Sequence, residues 1–398
     1  MATPTYTHGG WRPSADRFLE IVDQPLYRTL VDLQDLVTTE TALFWSERGV
    51  KSVHLPITTN SISSPMGLGS DSLPVEIDLF GQRTFLADSM QFMLEYGCRL
   101  SPQGSWYLMP SFRGEDCDET HLNQFFHSEA ELPGGLDECI DAVNAYMRRL
   151  ARSVLDRYAD DVRAIAGTTE HLERMAGLES FPRITFEEAV AHLGDDPDAV
   201  EHHGGWRTLS RHGERRLMDE ISPILWVTHY DHLSVPFYQA YGDEEGRTAL
   251  NGDLLFGIGE TVGCGERHVD GEQTRKALAH HEVPEADYDW YVRMKEARPQ
   301  HPRPFRGHQR EVAGIRRPLA RSLSLTAHTS VHAVRCVMTR PRLAGVSPGR
   351  CGRSRRRCRQ SLPPRWRWPK PVHRPRRRPH ITGQAPGGSA GGGGPQPG

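Results

Sequence analysis

Two short segments of this chain bring together side chains that can do chemistry on a nucleotide. The first is FRGEDCDETHLNQFFHSEAE, residues 112–131. Arg113 and Glu115 stand at i and i+2, so an extended backbone puts both on one strand face. A guanidinium there suits a phosphate oxygen, because it offers forked donors and a permanent charge. The carboxylate beside it can accept a hydrogen bond from an adenine amino group, and an aromatic such as Phe125 can lie flat on the purine. Taken alone, Arg-x-Glu is also a common surface ion pair. The second segment is GDLLFGIGETVGCGER, residues 252–267. Asp253 and Glu260 flank a glycine-rich strand, and hard oxygen ligands of this kind suit Mg²⁺ bridging nucleotide phosphates. Glycines 257, 259, 263 and 265 let a ligand approach the backbone closely. A glycine-rich hairpin with solvated acids has the same pattern.

These residues need a scaffold, and the flanking sequence supplies its elements. Over 15–48, Phe18, Ile21, Val22, Leu26, Leu30, Leu33, Leu36 and Val37 recur at three- and four-residue steps, which predicts a helix. A short extended piece follows from Val50 to Pro56, then a Ser/Gly-rich loop. LPVEIDLF (73–80) alternates as a half-buried strand does, and SWYLMPSF (105–112) and HSEAEL (127–132) read as extended. The longest helix spans 136–165, with Leu136, Ile140, Val143, Met147, Leu150, Val154, Tyr158 and Val162 in one apolar stripe that reads as core packing. Residues 190–215 are polar and read as a surface insertion. ILWVTHYD (224–231), PFYQAYG (236–242) and ALNGDLLFG (249–257) are three further strand candidates, ahead of a helical stretch at 287–298. Strands, an intervening helix, then strands again predict an α+β domain with a mostly antiparallel sheet flanked by helices.

Bulk composition narrows the setting. No run approaches the roughly 18 apolar residues that cross a bilayer, and the N-terminus lacks the basic-then-apolar layout of a secretory signal. The seven cysteines are dispersed, with no CxxC pair, which argues against a disulfide framework. A reducing cytoplasm is the expected location. No cysteine spacing supports a zinc site built on His229 and His232 or on the His pairs at 202–203 and 280–281. Charge is sharply partitioned: of 48 basic residues, 19 lie in the acid-free stretch from Val312 onward, leaving 29 against 51 acidic residues before it. From about residue 306 the text is rich in Arg, Pro, Gly and Ser and loses hydrophobic periodicity, which predicts a disordered basic tail over 306–398. Its SRRRCRQ and RPRRRPH runs suit phosphate contacts. A shifted reading frame in GC-rich coding DNA produces the same composition.

The segment at 112–131 resembles motif 2 of class II aminoacyl-tRNA synthetases, FRxE followed by a loop and then HLxxFxxxExE. The spacing at 252–267 is similar to the same family: an Asp, a Glu seven residues later, then an Arg after another seven. Weaker likenesses stand in the same order along the chain. GVKSVHLP (49–56) resembles motif 1, Asp88-Ser89-Met90-Gln91 looks like a Ser-x-Gln element, and FPRITFEEA (181–189) is similar to a segment of aspartyl and asparaginyl enzymes. Pro236–Tyr238 and Tyr288–Tyr291 also fit. The resemblance is to the aspartate/asparagine/lysine group, and it implies a catalytic core over about 10–305. It further implies that Arg113 grips the ATP α-phosphate, Glu115 reads adenine and Phe125 stacks on it. Ser89 and Gln91 would contact the amino acid, Asp253 and Glu260 would hold Mg²⁺, and Arg267 would pair with the substrate side chain. Pro56 would sit at a homodimer interface. The implied activity is ATP-dependent activation of aspartate or asparagine, with tRNA or ammonia as acyl acceptor.

Departures from the family pattern are part of the expectation. The segment before motif 1 reads as helix where tRNA enzymes carry a β-barrel anticodon domain. The motif 2 loop is short, and Thr120 stands where an Arg is usual. The substrate loop has Met66 near the place of an expected acid, with Asp71 as a substitute. Motif 3, Gly-x-Gly-x-Gly-x-x-Arg, is missing after Tyr291, where the basic tail begins. That loss leaves a second class of function open: a catalytically degenerate paralogue that binds nucleotide or RNA.

Overall fold

The computed structural model describes residues 22, 24–63, 68, 73–115 and 122–297, together with a strand at Ser322–His328. In chain order its helices and strands are α1 (Pro25–Glu47), β1 (Lys51–Ser52), β2 (Thr58–Thr59), β3 (Val75–Leu79), β4 (Gln82–Leu86), α2 (Gln91–Cys98), β5 (Ser105–Phe112) and β6 (Gln124–Pro133). There follow α3 (Leu136–Ala166), α4 (Glu170–Gly177), β7 (Arg183–Thr185), α5 (Phe186–Leu193), β8 (Val200–His202), β9 (Arg207–Leu209), α6 (Arg211–Glu220) and β10 (Ile224–Thr228). The last are β11 (Asn251–Phe256), β12 (Gly259–Glu266), α7 (Gly271–His280), α8 (Asp289–Glu296) and β13 (Ser322–His328).

Eight strands form the central sheet in the order β1-β5-β6-β13-β12-β11-β10-β7. Only the outermost pairs, β1 with β5 and β7 with β10, are parallel; the rest are antiparallel. The chain is therefore α+β, as its pattern predicts. Alternation along the strands separates two faces. On one face Trp226, Leu254 and Val262 pack against Leu33, Phe44 and Trp45 of α1 and Ile140, Val143 and Tyr146 of α3. On the other, Leu225, Val227 and Leu255 meet Phe186 of α5 and Leu217 of α6. The remainder of that second face carries the polar residues described below.

Helix α3 starts where it does for a chemical reason. Glu138 accepts a hydrogen bond from the Gly135 N–H at 2.8 Å, and Glu266 at the end of β12 accepts from Leu136 N at 3.2 Å. Both carboxylates serve orphan donors at the positive end of the helix. The helix stops at Gly167, whose φ of 78° suits a residue without Cβ. Its predicted stripe is buried throughout except at half-buried Tyr158, where the backbone departs from helical geometry.

Four expectations are corrected. Residues 190–215 are no loose insertion: they contribute the β8–β9 hairpin and the start of α6, with Ala199, Val200 and Leu217 buried. PFYQAYG is not a strand. Pro236 lacks an N–H, Gln239 N turns back to Pro236 O at 3.1 Å, and only single bridges reach Arg267 and Ala249. β5 ends at Phe112, so Arg113 and Glu115 lie just past the strand and not on its face. Finally, the sheet takes a strand from beyond residue 305: β13 lies between β6 and β12, pairing Ser324 with Glu131 and Gly265, and Thr326 with Glu129 and Gly263. Met66, Asp71, Thr120 and the rest of 306–398 lie outside the described residues.

Candidate active site

The polar half of the second sheet face is built on residues without side chains. On β12, Gly263 and Gly265 form a floor that any Cβ would fill. At Gly263 it would lie 2.9 Å from Glu260 Oε1 and 3.6 Å from Asp253 Oδ1, and at Gly265 it would strike the Gln239 amide. Glycine here keeps the backbone open to a ligand.

At one end of this floor sits a fully enclosed guanidinium. Arg267 Nε donates to Glu131 Oε1 at 3.2 Å, and Nη2 donates to Gln91 Oε1 at 2.6 Å. The cation lies 4.5 Å above the Tyr238 ring, whose hydroxyl accepts from Gln91 Nε2 at 2.8 Å. Nη1 makes no hydrogen bond, and neither does the buried Oε1 of Gln239. A burial of this kind with two atoms left over marks a place prepared for a polar ligand. Glu131 is pushed up to about 7, because burial outweighs the Arg267 charge and Glu95 adds repulsion. Behind this pocket, Lys295 pairs with Glu95, and Tyr291 donates to Glu95 at 2.5 Å.

Beside it lie two further buried carboxylates. Ser89 Oγ donates to both oxygens of Glu129, at 2.9 and 2.8 Å. Asp88 accepts from Ser63 N and Oγ at 3.1 and 2.7 Å, tying down the loop before β3. Burial raises the Asp88 carboxyl, opposed by the Ser63 hydrogen bonds and the Arg113 charge.

Arg113 and Phe125 meet at the far end of β5 and β6. The guanidinium carbon stands 5.6 Å over the ring, within reach of a cation–π attraction, and Nε is buried without a partner. His127 meets Phe125 edge-on at 4.7 Å. Glu115 is turned toward the small β2-β4-β3 sheet, where its carboxylate accepts from Leu73 N at 3.3 Å.

The third component is acidic. Asp253 and Glu260 converge above Gly263 and are joined by Glu214 from α6. Desolvation, then the charges of Glu260 and Glu214, hold the Asp253 carboxyl well above its ordinary range, and Glu214 is pushed up to about 7 by burial and Glu260. Tyr230 donates to Asp253. Crowded carboxylates that resist ionisation together are a fitting donor set for a hard divalent cation, which Mg²⁺ is.

Seven of the eight residues singled out in the sequence border one sheet face, whereas the Glu115 carboxylate is engaged at the small sheet. Sequence reasoning missed Gln239 and Glu214, and it quoted Asp88 beside Ser89 without giving it a role. Glu129 and Glu131 were in view as the ExE of the motif 2 pattern, but no role was drawn for them. Nothing in local spacing marks Gln239 or Glu214, since each enters the site from a segment packed over the face.

Known proteins share this fold. The family model described as tRNA synthetases class II (D, K and N) matches residues 12–302. The asparagine–tRNA ligase of Lactococcus lactis subsp. cremoris strain SK11 is 28% identical over 228 residues, covering 55% of this chain and 51% of the relative. That of Koribacter versatilis is 26% identical over 260 residues, covering 63% and 57%. The chain thus spans about half the length of the curated relatives it matches. Among solved structures, asparaginyl-tRNA synthetase from Pyrococcus horikoshii complexed with asparaginyl-adenylate superposes with a TM-score of 0.67 at 20% identity, over 81% of this chain and 68% of that one. Aspartyl-tRNA synthetase from Entamoeba histolytica gives 0.59 at 15%, over 82% and 59%. With a family match over most of its length and the same fold, the chain belongs to the class II tRNA synthetases (D, K and N).

Proposed function

We propose that this chain activates an amino acid with ATP. A carboxylate oxygen of the substrate attacks the α-phosphorus in line, the bond to the β-phosphate oxygen breaks, and pyrophosphate leaves an acyl adenylate. One observation carries the reading: a buried guanidinium, a phosphate-ready guanidinium and a carboxylate cluster all border one glycine-floored face. No protein nucleophile is required, because positioning and charge neutralisation do the work. Arg113 neutralises the α-phosphate and Phe125 holds adenine, while Glu115, which accepts from Leu73 N, would have to turn from it to reach the base. Ser89, Gln91 and Arg267 hold the amino acid, with Asp88 and Glu129 fixing the loop and the Ser89 hydroxyl. A Mg²⁺ ion held by Asp253 and Glu260 would offset the charge of the phosphates.

The substrate is aspartate or asparagine, and two free atoms favour the amide. Arg267 Nη1 lacks an acceptor and Gln239 Oε1 lacks a donor. A carboxamide supplies both, whereas a carboxylate supplies only the first. The test is amino-acid-dependent pyrophosphate exchange with Asp and with Asn, followed by transfer assays with tRNA and with ammonia. Arg113→Ala is expected to lower exchange by about 10²–10³-fold with an unchanged circular dichroism spectrum. Full exchange in that variant would remove Arg113 from the role, and absence of exchange with any amino acid would sink the reading. A second reading has its own observation. The strand beside β12, Ser322–His328, reads SLSLTAH and holds neither glycine nor arginine. Saturable ATP binding without exchange would favour a nucleotide- or RNA-binding paralogue.

A further inference from the structure

A second polar cluster lies away from the glycine floor. His232 follows β10, His280 ends α7 and His281 is the next residue. Among the described residues, each of the three brings one possible ligand atom within 4.8 Å of the others. Their sequence spacing hides this, because the chain passes through β11, β12 and most of α7 between the first and the second.

Hydrogen bonding fixes which lone pairs are available. His232 Nε2 lies 2.9 Å from Gln239 O, and a carbonyl can only accept, so Nε2 carries the hydrogen and Nδ1 is bare. His281 Nε2 stands 2.9 Å from that bare Nδ1 and donates to it, which leaves its own buried Nδ1 without a partner. An imidazole whose far N–H is anchored on a backbone carbonyl is the usual posture of a metal-ligating histidine. Burial keeps the rings neutral: His232 is lowered to about 4 and His281 to about 3, and exposed His280 is lowered as well. Tyr241 packs at a tilt of 33° on His232 with centroids 4.2 Å apart, and its hydroxyl lies 3.4 Å from His280 Nδ1. His280 also lines a cavity of about 810 Å³, together with His202, Trp206, Asp231 and Asp243. Asp243 favours a cation at the cluster, while Lys276, 4.9 Å over the Tyr241 ring, opposes it.

We propose that His232, His280 and His281 bind a divalent transition-metal ion of the zinc type, with water from the adjoining cavity completing its shell. Three neutral imidazoles and an open position suit zinc, cobalt or nickel and not magnesium. Two nitrogens each about 2.0–2.1 Å from a tetrahedral ion stand about 3.4 Å apart. The His232–His281 pair must therefore open slightly, and the hydrogen on His281 Nε2 moves to its Nδ1. No proton is lost in that exchange of tautomers.

The test uses the full chain without a polyhistidine tag, stripped by chelator and titrated with Zn²⁺ by calorimetry and with Co²⁺ by visible absorption. One equivalent should bind, with the d–d bands of a low-coordinate cobalt site. His280→Ala is exposed and should leave the circular dichroism unchanged while weakening Zn²⁺ at least about tenfold; His232→Gln should do the same. Asp253→Asn should bind Zn²⁺ as the unaltered chain does. No saturable binding, full affinity in His280→Ala, or loss in Asp253→Asn each overturns the proposal.

Discussion

Gln239 and Arg267 hold the two unpaired polar atoms of the pocket proposed for the amino acid, and they sit on a shared bridge between neighbouring segments. Replacing Gln239 with Met keeps the volume and removes the acceptor. Its expected effect is a loss of asparagine-over-aspartate preference of about tenfold, read as the ratio of kcat/KM in pyrophosphate exchange. Glu131 makes a second residue-scale prediction. Its folded carboxyl is raised to about 7 from 4.5, mainly by burial, so the folded state holds this proton more tightly than the unfolded chain. Stability from that difference is complete below about pH 4.5 and is lost as the pH rises through about 7. The urea midpoint of the unaltered chain should therefore carry a downward contribution across that window. Glu131→Gln should flatten it, and an unchanged slope would remove Glu131 as the source. At this scale the sequence was legible wherever one continuous stretch carried the pattern, as at 112–131 and 252–267. It was silent on Gln239 and Glu214, and it set His232 and the His280–His281 pair aside as separate zinc candidates, because their partners come from distant segments and no period links them.

Among the elements, α3 was the most readable, since its stripe repeats over many turns and has one face to bury. What the stripe does not convey is the polar tie within it. Trp226 Nε1 on β10 donates to Asn144 Oδ1 at 2.9 Å, and both residues are buried. Asn144→Ala leaves an indole N–H with no acceptor in an apolar layer. It should cost about 1–3 kcal/mol, seen as a lower urea midpoint with an unchanged m-value. The β8–β9 hairpin was illegible for the opposite reason. Its three-residue strands are too short for alternation to stand out, and its turn, HGGW, reads like any surface loop. Segment 236–242 misled because aromatic residues favour strands, whereas here they fill the cluster of Phe92, Tyr288 and Tyr291.

For the molecule as a whole, Val31 and Leu43 of α1 are exposed, as are Ile57 and both residues of the edge strand β1. Pro56, next to Ile57 in the chain, is exposed as well. Association of two copies through these residues would cover both the apolar side chains and the free edge. Sedimentation should give a dimer, and Ile57→Glu should shift it toward monomer without changing the circular dichroism; a monomeric unaltered chain would end that expectation. The fold class was legible in the order of elements, but the strand at the centre of the sheet was not, because 322–328 lies within sequence that reads as tail. That placement governs how the protein is made. A nascent chain leaves the ribosome with β5 and β6 first and β11 and β12 later, yet among the described residues these hairpins are joined into one sheet through β13. Until Ser322–His328 emerges, β6 and β12 each carry a bare row of amides and carbonyls, open to chaperones or to a neighbouring chain.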